Sequence, residues 1–338
     1  MAVNEIAILH CDSVPPPLLR DLPETGKSGW PWAVEAPQIP PLRPDGSAWP
    51  RISLVTPSYN QGDFIEETIR SVLLQGYPNL EYMVIDGGST DQTVEVIRRY
   101  EKWLTYWVSK KDRGQSQAIN KGLARATGEL FNWVNSDDFL LPGALAAVGG
   151  ASRRDEAIAS AVLNFGVGPA QIIENKGLSP ARLIAGDLDA AYHQPGLWLR
   201  PSRIASAGGI DESLHFVFCF DMTLRYLVKF PEVTYLPETL AAFRLHETSK
   251  TISRQADFHR ERLIVYNKIM KHPECASLKQ VCSRRLRSHA WWERLDVIVR
   301  SNNSAAYRAL IIVLAMCGDP SVRMSRLSLS AVRRLLFS

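Results

Sequence analysis

Residues 51–60 read RISLVTPSYN, residues 82–91 read YMVIDGGSTD, and residues 130–138 read LFNWVNSDD. Each is a short apolar run that breaks into a cluster of small polar residues. Ile52–Thr56, ending at Pro57, reads as a buried strand, as do Tyr82–Ile85, Leu104–Val108 and Leu130–Val134. Between the strands lie helical patterns. Asp63 opens the first, with Glu66 three residues on as a capping box, and Ile65, Ile69, Val72 and Leu73 share a face. Val94, Val96, Ile97 and Tyr100 mark the second. Gln115–Thr127 forms the third, with Gly128 as its terminal glycine. Pro142 stands as the first residue of a fourth. Strands alternating with helices over short connections predict an α/β fold with a mostly parallel, Rossmann-like sheet flanked by helices. In such a sheet the ligand sits at the carboxyl ends of the strands. PSYNQ, DGGSTD, KDRGQS and NSDD all fall there, so four clusters predict one composite site.

Outward from this core the composition changes. Residues 1–50 carry PPPLL, GWPW and PQIPPLRPDG, too much proline for regular structure, and read as an extended arm anchored by Trp30 and Trp32. Residues 250–338 hold 17 Lys+Arg against 6 Asp+Glu, while the rest of the 338-residue chain is net acidic. A basic region implies an anionic partner or a solvated set of helix faces. No apolar run approaches the ~18–20 residues of a membrane span, and Ala309–Cys317 reads as a buried helix. The N-terminus lacks the basic start and apolar stretch of a signal peptide. Five cysteines without a CxxC pair fit reduced thiols in a cytoplasmic protein. The expected location is therefore cytoplasmic.

Asp137 and Asp138 are adjacent carboxylates at a strand end. Hard divalent cations such as Mg²⁺ or Mn²⁺ take such ligands together with substrate phosphates; a plain Asp turn capping the next helix is the alternative. Asp86 ends a strand and could accept a hydrogen bond from a base or ribose, or serve only its own turn. No phosphate-binding GxxxxGK[ST] loop, no GxGxxG after a strand and no GxSxG elbow is present.

The stretches PRISLVTPSYNQGDFIEETIRSVLLQ, VIDGGSTDQT, DRGQSQAINKG and WVNSDDFLLPGAL resemble the nucleotide-binding half of family 2 glycosyltransferases. HQPGLWLR, FCFDMTLR and FRLHETSKT resemble the acceptor half, in the bacterial polysaccharide branch. The resemblance implies a GT-A fold over residues 51–250, with a nucleotide-sugar half (51–150) and an acceptor half (151–250). An arm (1–50) and a basic helical extension (251–338) flank it. It implies transfer of a sugar from a nucleotide-diphosphate donor, most often a UDP-sugar, to a glycan or lipid-linked acceptor with inversion. Pro57, Ser58, Tyr59 and Asn60 would line the nucleoside pocket and Asp86 would bind the base. Asp112 and Gly114 would lie beside ribose and diphosphate, with Asn120 on the following helix. The family's DXD metal motif falls on Asn135-Ser136-Asp137, leaving Asp137 to carry the Mn²⁺ or Mg²⁺, with His246 matching a histidine near the diphosphate or metal. Asp221 matches the catalytic base, in a position that reads otherwise as a helix cap. Its neighbours Phe218, Phe220 and Met222 would desolvate it, which suits a base. His193, Gln194 and Trp198 would shape the acceptor side.

Two stretches of the basic region, Val281–Arg300 and Val322–Phe337, are apolar and Arg-rich. They suit either peripheral contact with an anionic membrane or packing against a protein surface. No nucleic-acid module is present and no nucleic-acid partner is expected. Two rival readings stay open: a non-catalytic nucleotide- or sugar-binding protein of the same fold, and a sugar nucleotidyltransferase. PSYNQGDF has no basic residue, which speaks against the latter.

Overall fold

The computed structural model describes residues 6–9, 16–152, 156–301 and 303–318. They group into two compact units. One holds the chain up to residue 183 and residues 187–261; the other holds residues 184–186 and the chain from residue 262.

The first unit is built on two sheets. The strands and helices of its first part run in the predicted alternation: β1 (Ile6–Leu9), β2 (Ile52–Ser58), α1 (Ile65–Leu73), β3 (Leu80–Asp86), α2 (Thr93–Tyr100), β4 (Tyr106–Ser109), α3 (Gln115–Leu123) and β5 (Leu130–Trp133). Their order across the sheet is β1-β4-β3-β2-β5. The four strands from β2 to β5 are mutually parallel, and β1 pairs antiparallel with β4. β2 is buried along its whole length, as a strand covered on both faces must be. Ile65, Ile69 and Val72 of α1 and Val96, Ile97 and Tyr100 of α2 pack in the core with Leu54, Val84 and Trp107.

The second sheet was not foreseen. After β6 (Phe139–Leu140) and α4 (Ala144–Ala151) come β7 (Ala157–Gly166), β8 (Gln171–Ile173), α5 (Pro180–Ala185), β9 (Leu197–Trp198), α6 (Pro201–Ser206), α7 (Phe218–Lys229) and β10 (Val233–Leu245). The sheet runs β6-β10-β7-β8, with β9 on β7. β10 lies parallel to β7 and antiparallel to β6, with Ala241 opposite Leu140 and Ala242 opposite Phe139. That register returns the end of β10 to the polar turn at 135–138. A short helix, α8 (Lys250–Ser253), and the first part of α9 (Gln255–Lys271) complete the unit.

Several local expectations are corrected. β2 runs through Pro57 to Ser58. Beyond Val55 it has a ladder partner on one side only, because β5 stops at Trp133, and an edge-like position tolerates a residue without an N–H. Asp63 does not cap α1. A turn from Gln61 precedes the helix, Asp63 accepts from Gln92 Nε2, and Glu66 accepts instead from the Tyr100 hydroxyl. α3 ends at Leu123, so Gly128 is not its terminal glycine. A Cβ there would stand 2.6 Å from Ser53 Oγ and 2.8 Å from Arg51 O, so close packing is what requires glycine. Gly143, not Pro142, precedes α4, with φ of 81°.

The proline-rich arm is held from within. Arg70 of α1 is 1% exposed and donates to the carbonyls of Pro31, Pro23 and Trp32 and to the Tyr100 hydroxyl. Trp30 Nε1 donates to Leu140 O at 2.8 Å, and Trp32 lies under Lys27 and Arg70. The arm also supplies β1, so it is not wholly irregular.

The second unit contains α10 (Lys279–Arg300) and α11 (Ala305–Gly318). Cys282, Trp291 and Leu295 form the buried side of α10. Of the buried helix expected over 309–317, burial is described to residue 314, and there it holds on one face only. Ala309 and Ile312 are buried, whereas Tyr307, Leu310, Val313 and Leu314 face solvent. Val322–Phe337 lies outside the described residues. Cys219, Cys275 and Cys282 are not joined in disulfides. Among the described residues no helix is long and apolar enough to cross a membrane.

Candidate active site

The register of the first sheet sets Ser58, Asp86 and Ser109 in one row across β2, β3 and β4. The loops that follow are fastened to each other by named bonds. Asp86 is fully buried. Its carboxylate accepts from the amides of Gly88 and Ser89 and the hydroxyls of Ser89 and Ser109, at 2.5–3.0 Å. Asn60 adopts a left-handed backbone, φ 52°. Its amide donates to Ser89 Oγ and its Oδ1 accepts from Thr90 N. Gly62 N donates to Asp91 Oδ2 and Gln61 N to Thr93 Oγ1. Gly88 has φ of 87°, and a Cβ on it would come within 3.0 Å of Lys111 N. Gly87 packs in the same way on the Asp112 carboxylate. Burial raises the pKa of Asp112; the Gly114 amide and Lys121 oppose that rise, and Asp86 and Glu212 add to it.

This network places Pro57 and Ser58 inside and Tyr59 and Asn60 at the surface. The Ser58 hydroxyl and Gln61 Oε1 are buried without a hydrogen-bond partner. Gly114, φ 124°, opens α3. The side-chain amide of Asn120 donates to Ile210 O and Glu212 Oε1 at 2.9 and 3.0 Å. It fastens the segment before α7 to α3, beside Asp112, on which the Glu212 charge acts.

A second cluster forms around the polar turn after β5. Asp137 Oδ2 and His246 Nε2 are 3.1 Å apart, and His246 Nδ1 shares a hydrogen bond with Thr248 Oγ1. Asp138 is not a helix cap. It is buried, with Oδ1 accepting from Arg244 N and Oδ2 from Asn135 Nδ2. Burial and then the Asp137 charge hold its pKa well above the usual carboxylate range. Arg244 pins the turn: its Nε donates to Asp137 O at 3.0 Å and its Nη2 pairs with Glu67. Its guanidinium also covers the Phe165 ring at 4.6 Å. Asn135 Oδ1 accepts from Gln115 Nε2 at 2.6 Å, and Gln115 Oε1 from Lys250 Nζ at 3.2 Å. Protein crowding lowers the Lys250 pKa, opposed by the charges of Asp137 and Glu261. Ser136 is buried.

Among the described residues no group of three His, Cys, Asp or Glu side chains converges as a metal cage. Asp137 and His246 put two groups able to ligate a metal on one corner. Two protein ligands fit a Mg²⁺- or Mn²⁺-type ion completed by phosphate oxygens and water, not a resident all-protein site.

Asp221 sits in the first turn of α7 and is 3% exposed. Its surroundings are not only apolar. Arg225, one turn on, donates through Nε and Nη2 to Asp221 Oδ2 at 3.0 and 2.7 Å and bonds the carbonyls of Ala207 and Gly209. Both Asp221 contacts fall on Oδ2, which leaves Oδ1. The start of α7 is fixed by Glu261, whose carboxylate accepts from the amides of His215, Phe216 and Val217. An anion against a helix N-terminus satisfies donors that the helix itself cannot.

Burial shows what the three residues expected on the acceptor side hold. Trp198 is 0% exposed within the core, so its ring cannot stack on a sugar. Gln194 is spent on Asn132 Oδ1 and Trp133 O. His193 is bonded to Asn164 Oδ1 and set edge-on to Phe243, and burial pushes its pKa from 6.5 to about 4.

Sequence reading missed Arg244, Gln115, Lys250, Arg225 and Glu261. Arg225 was findable, since it lies four residues from Asp221 on one helix face. Arg244 and Lys250 flank His246 within FRLHETSKT. Glu261 carries no local signal, because its partners are 44–46 residues away.

Residues 53–187 match the profile of glycosyl transferase family 2. TuaG of Bacillus subtilis strain 168, a glycosyltransferase named for teichuronic acid biosynthesis, is 39% identical over 92 residues. That is 26% of this chain and 36% of TuaG. The uncharacterized glycosyltransferase Rv1514c of Mycobacterium tuberculosis H37Rv is 39% identical over 90 residues, 26% of this chain and 34% of that protein. The chain thus spans about a third of the length of these curated relatives. Among solved structures, Staphylococcus aureus TarS in complex with UDP-GlcNAc is similar at a TM-score of 0.57 and 18% identity, over 80% of this chain and 81% of that one. Mannosyltransferase PcManGT from Pyrobaculum calidifontis, in complex with GDP-Man and Mn²⁺, is similar at 0.56 and 17%, over 85% and 86%. At these identities the likeness is one of fold, and the fold is GT-A.

Proposed function

Because residues 53–187 are a glycosyl transferase family 2 domain, we propose that this chain transfers a sugar from a nucleotide-diphosphate donor, a UDP-sugar first among the options, to a glycan or lipid-linked hydroxyl. One observation carries the reading. The loops after β2, β3 and β4 and the Asp137–His246 pair after β5 lie at the carboxyl edge of one sheet, and two buried polar atoms there, Ser58 Oγ and Gln61 Oε1, lack partners. Ser58, the backbone of Tyr59 and Asn60, and the Asp86 turn would hold the nucleoside. The Asp86 carboxylate acts through the turn it organises, and Asp112 would stand on the ribose side. Asp137 and His246 would hold Mn²⁺ or Mg²⁺, which when bound neutralises charge on the leaving diphosphate.

Asp221 would take the proton of the acceptor hydroxyl at Oδ1 while Arg225 fixes the carboxylate through Oδ2. Deprotonation during attack makes a sugar hydroxyl a competent nucleophile, and a single in-line displacement then inverts the anomeric carbon. The exposed apolar residues of α11 and the basic character of residues 250–338 support peripheral contact with an anionic membrane surface.

Thermal unfolding with a panel of nucleoside diphosphates, with and without Mn²⁺, tests the donor site. A ligand at about 100 times its Kd stabilises by about 2.7 kcal/mol. The expected result is a Mn²⁺-dependent rise in Tm with one nucleotide, lost in Asp137→Ala. No rise with any nucleotide would sink the reading.

A further inference from the structure

At the first position of the DXD-like motif stands Asn135, a neutral residue, so the corner offers a cation one carboxylate fewer. Asn135 is joined through Gln115 to Lys250, with Gln115 Nε2 at 2.6 Å from Asn135 Oδ1 and Lys250 Nζ at 3.2 Å from Gln115 Oε1. Gln115 is the first residue of α3 and Lys250 the first of α8, so two of the three members of this relay start helices. Among the described residues the single hydrogen bond of the ammonium is to a neutral amide. Among the described residues no carboxylate lies within ion-pair distance of it, although Asp137, Glu261 and Cys219 lie near enough to act on its charge. The side chain is open to solvent while protein crowds its tip. A cation kept without a counter-ion beside Asp137 has its charge unspent, and an anion arriving there would use it.

We propose that Lys250 contacts the diphosphate of the bound donor and supplies, from a side chain, positive charge that the Asn135 corner draws less of from a metal. This rests on the donor-site reading above. It assigns a role to a residue outside the Asp137–His246 pair. Its consequence is that part of the diphosphate affinity survives metal removal and depends on Lys250. On the leaving group the same charge would act as the metal does, and would grow in value as charge builds there.

The test is calorimetric titration of the full chain with UDP and with uridine, and in parallel GDP and guanosine, in Mn²⁺ and in EDTA, for wild type, Lys250→Gln and Lys250→Arg. In EDTA the wild type should bind the diphosphate more tightly than its nucleoside. Lys250→Gln should lose about 10- to 100-fold of that diphosphate affinity, the worth of a charged hydrogen bond. Nucleoside affinity and Tm should stay unchanged, and Lys250→Arg should retain most of the binding. If diphosphate and nucleoside bind equally in EDTA, or if Lys250→Gln binds the diphosphate as the wild type does, the assignment is wrong while the donor site stands. If the wild type binds no nucleoside diphosphate in any buffer, the donor-site reading falls first and takes this one with it.

Discussion

The loops after β2, β3 and β4 and the corner around Asp137 lie at one sheet edge but use their polar groups in opposite ways. In the loops, Asp86, Ser89, Asn60, Asp91 and Thr93 bond to each other and to backbone amides. Apart from Ser58 Oγ and Gln61 Oε1, little capacity is left over, and the glycines at 62, 87 and 88 let the strands of loop touch. At the corner, Asp137 faces a histidine and Lys250 faces a neutral amide; on α7, Asp221 likewise keeps one oxygen outside its ion pair. The difference teaches that polar composition does not separate scaffold from chemistry. What separates them is whether a group's hydrogen-bonding capacity is already spent inside the protein.

Substitutions on the two sides should therefore fail differently. The largest effect is expected from Asp221→Asn. Transfer should fall by about 10²–10⁴-fold with Tm close to wild type and nucleotide binding intact, measured as product formation beside a thermal shift. Near-normal turnover in folded protein would remove Asp221 as the base.

Asp86→Ala strikes the spent side. Four donors lose their acceptor, two of them backbone amides in a loop with no slack, and stability should drop by about 2–4 kcal/mol in denaturant titration. Nucleotide binding would fall with it. If stability held and only binding fell, Asp86 would be a ligand-contacting residue and not the organiser of its turn.

His193 tests burial through pH. Its pKa is about 4 in the folded chain against 6.5, so between those values the unfolded chain binds more protons. Stability from this group is present in full above pH 6.5 and is lost as pH falls toward 4, by roughly 3 kcal/mol at most. His193→Gln should flatten that part of the stability–pH curve, whereas a substrate-facing histidine would leave stability alone and move KM.

The smallest effect is expected from Gly88→Ala. Its positive φ and the 3.0 Å approach to Lys111 N should cost about 1–2 kcal/mol, seen as a lower Tm.

Much of this was legible in the sequence. The apolar runs at 52–56, 82–85 and 130–134 announced their strands because each is too short for a helix and ends in turn residues. The four polar clusters announced the edge because connections in a parallel sheet return the chain to the same side. The resemblance then pointed to Asp137, His246 and Asp221, and the structure brings the first two within 3.1 Å across 109 residues. What Trp198, Gln194 and Asn120 hold inside the protein was not legible, for one reason. A polar or aromatic residue in a functional motif reads the same whether it faces a ligand or holds the motif in place.

By itself, the sequence determined the alternation of elements, the side of the sheet that carries the site and the residue types available there. These follow from local periodicity and turn chemistry, which act over a few residues. Tertiary structure alone decided the second sheet, the arm locked by Arg70, the α7 amides held by Glu261, and which carboxylates stay available. Those outcomes depend on which distant donor reaches a carboxylate first, and no local pattern encodes a partner 44 or 106 residues away.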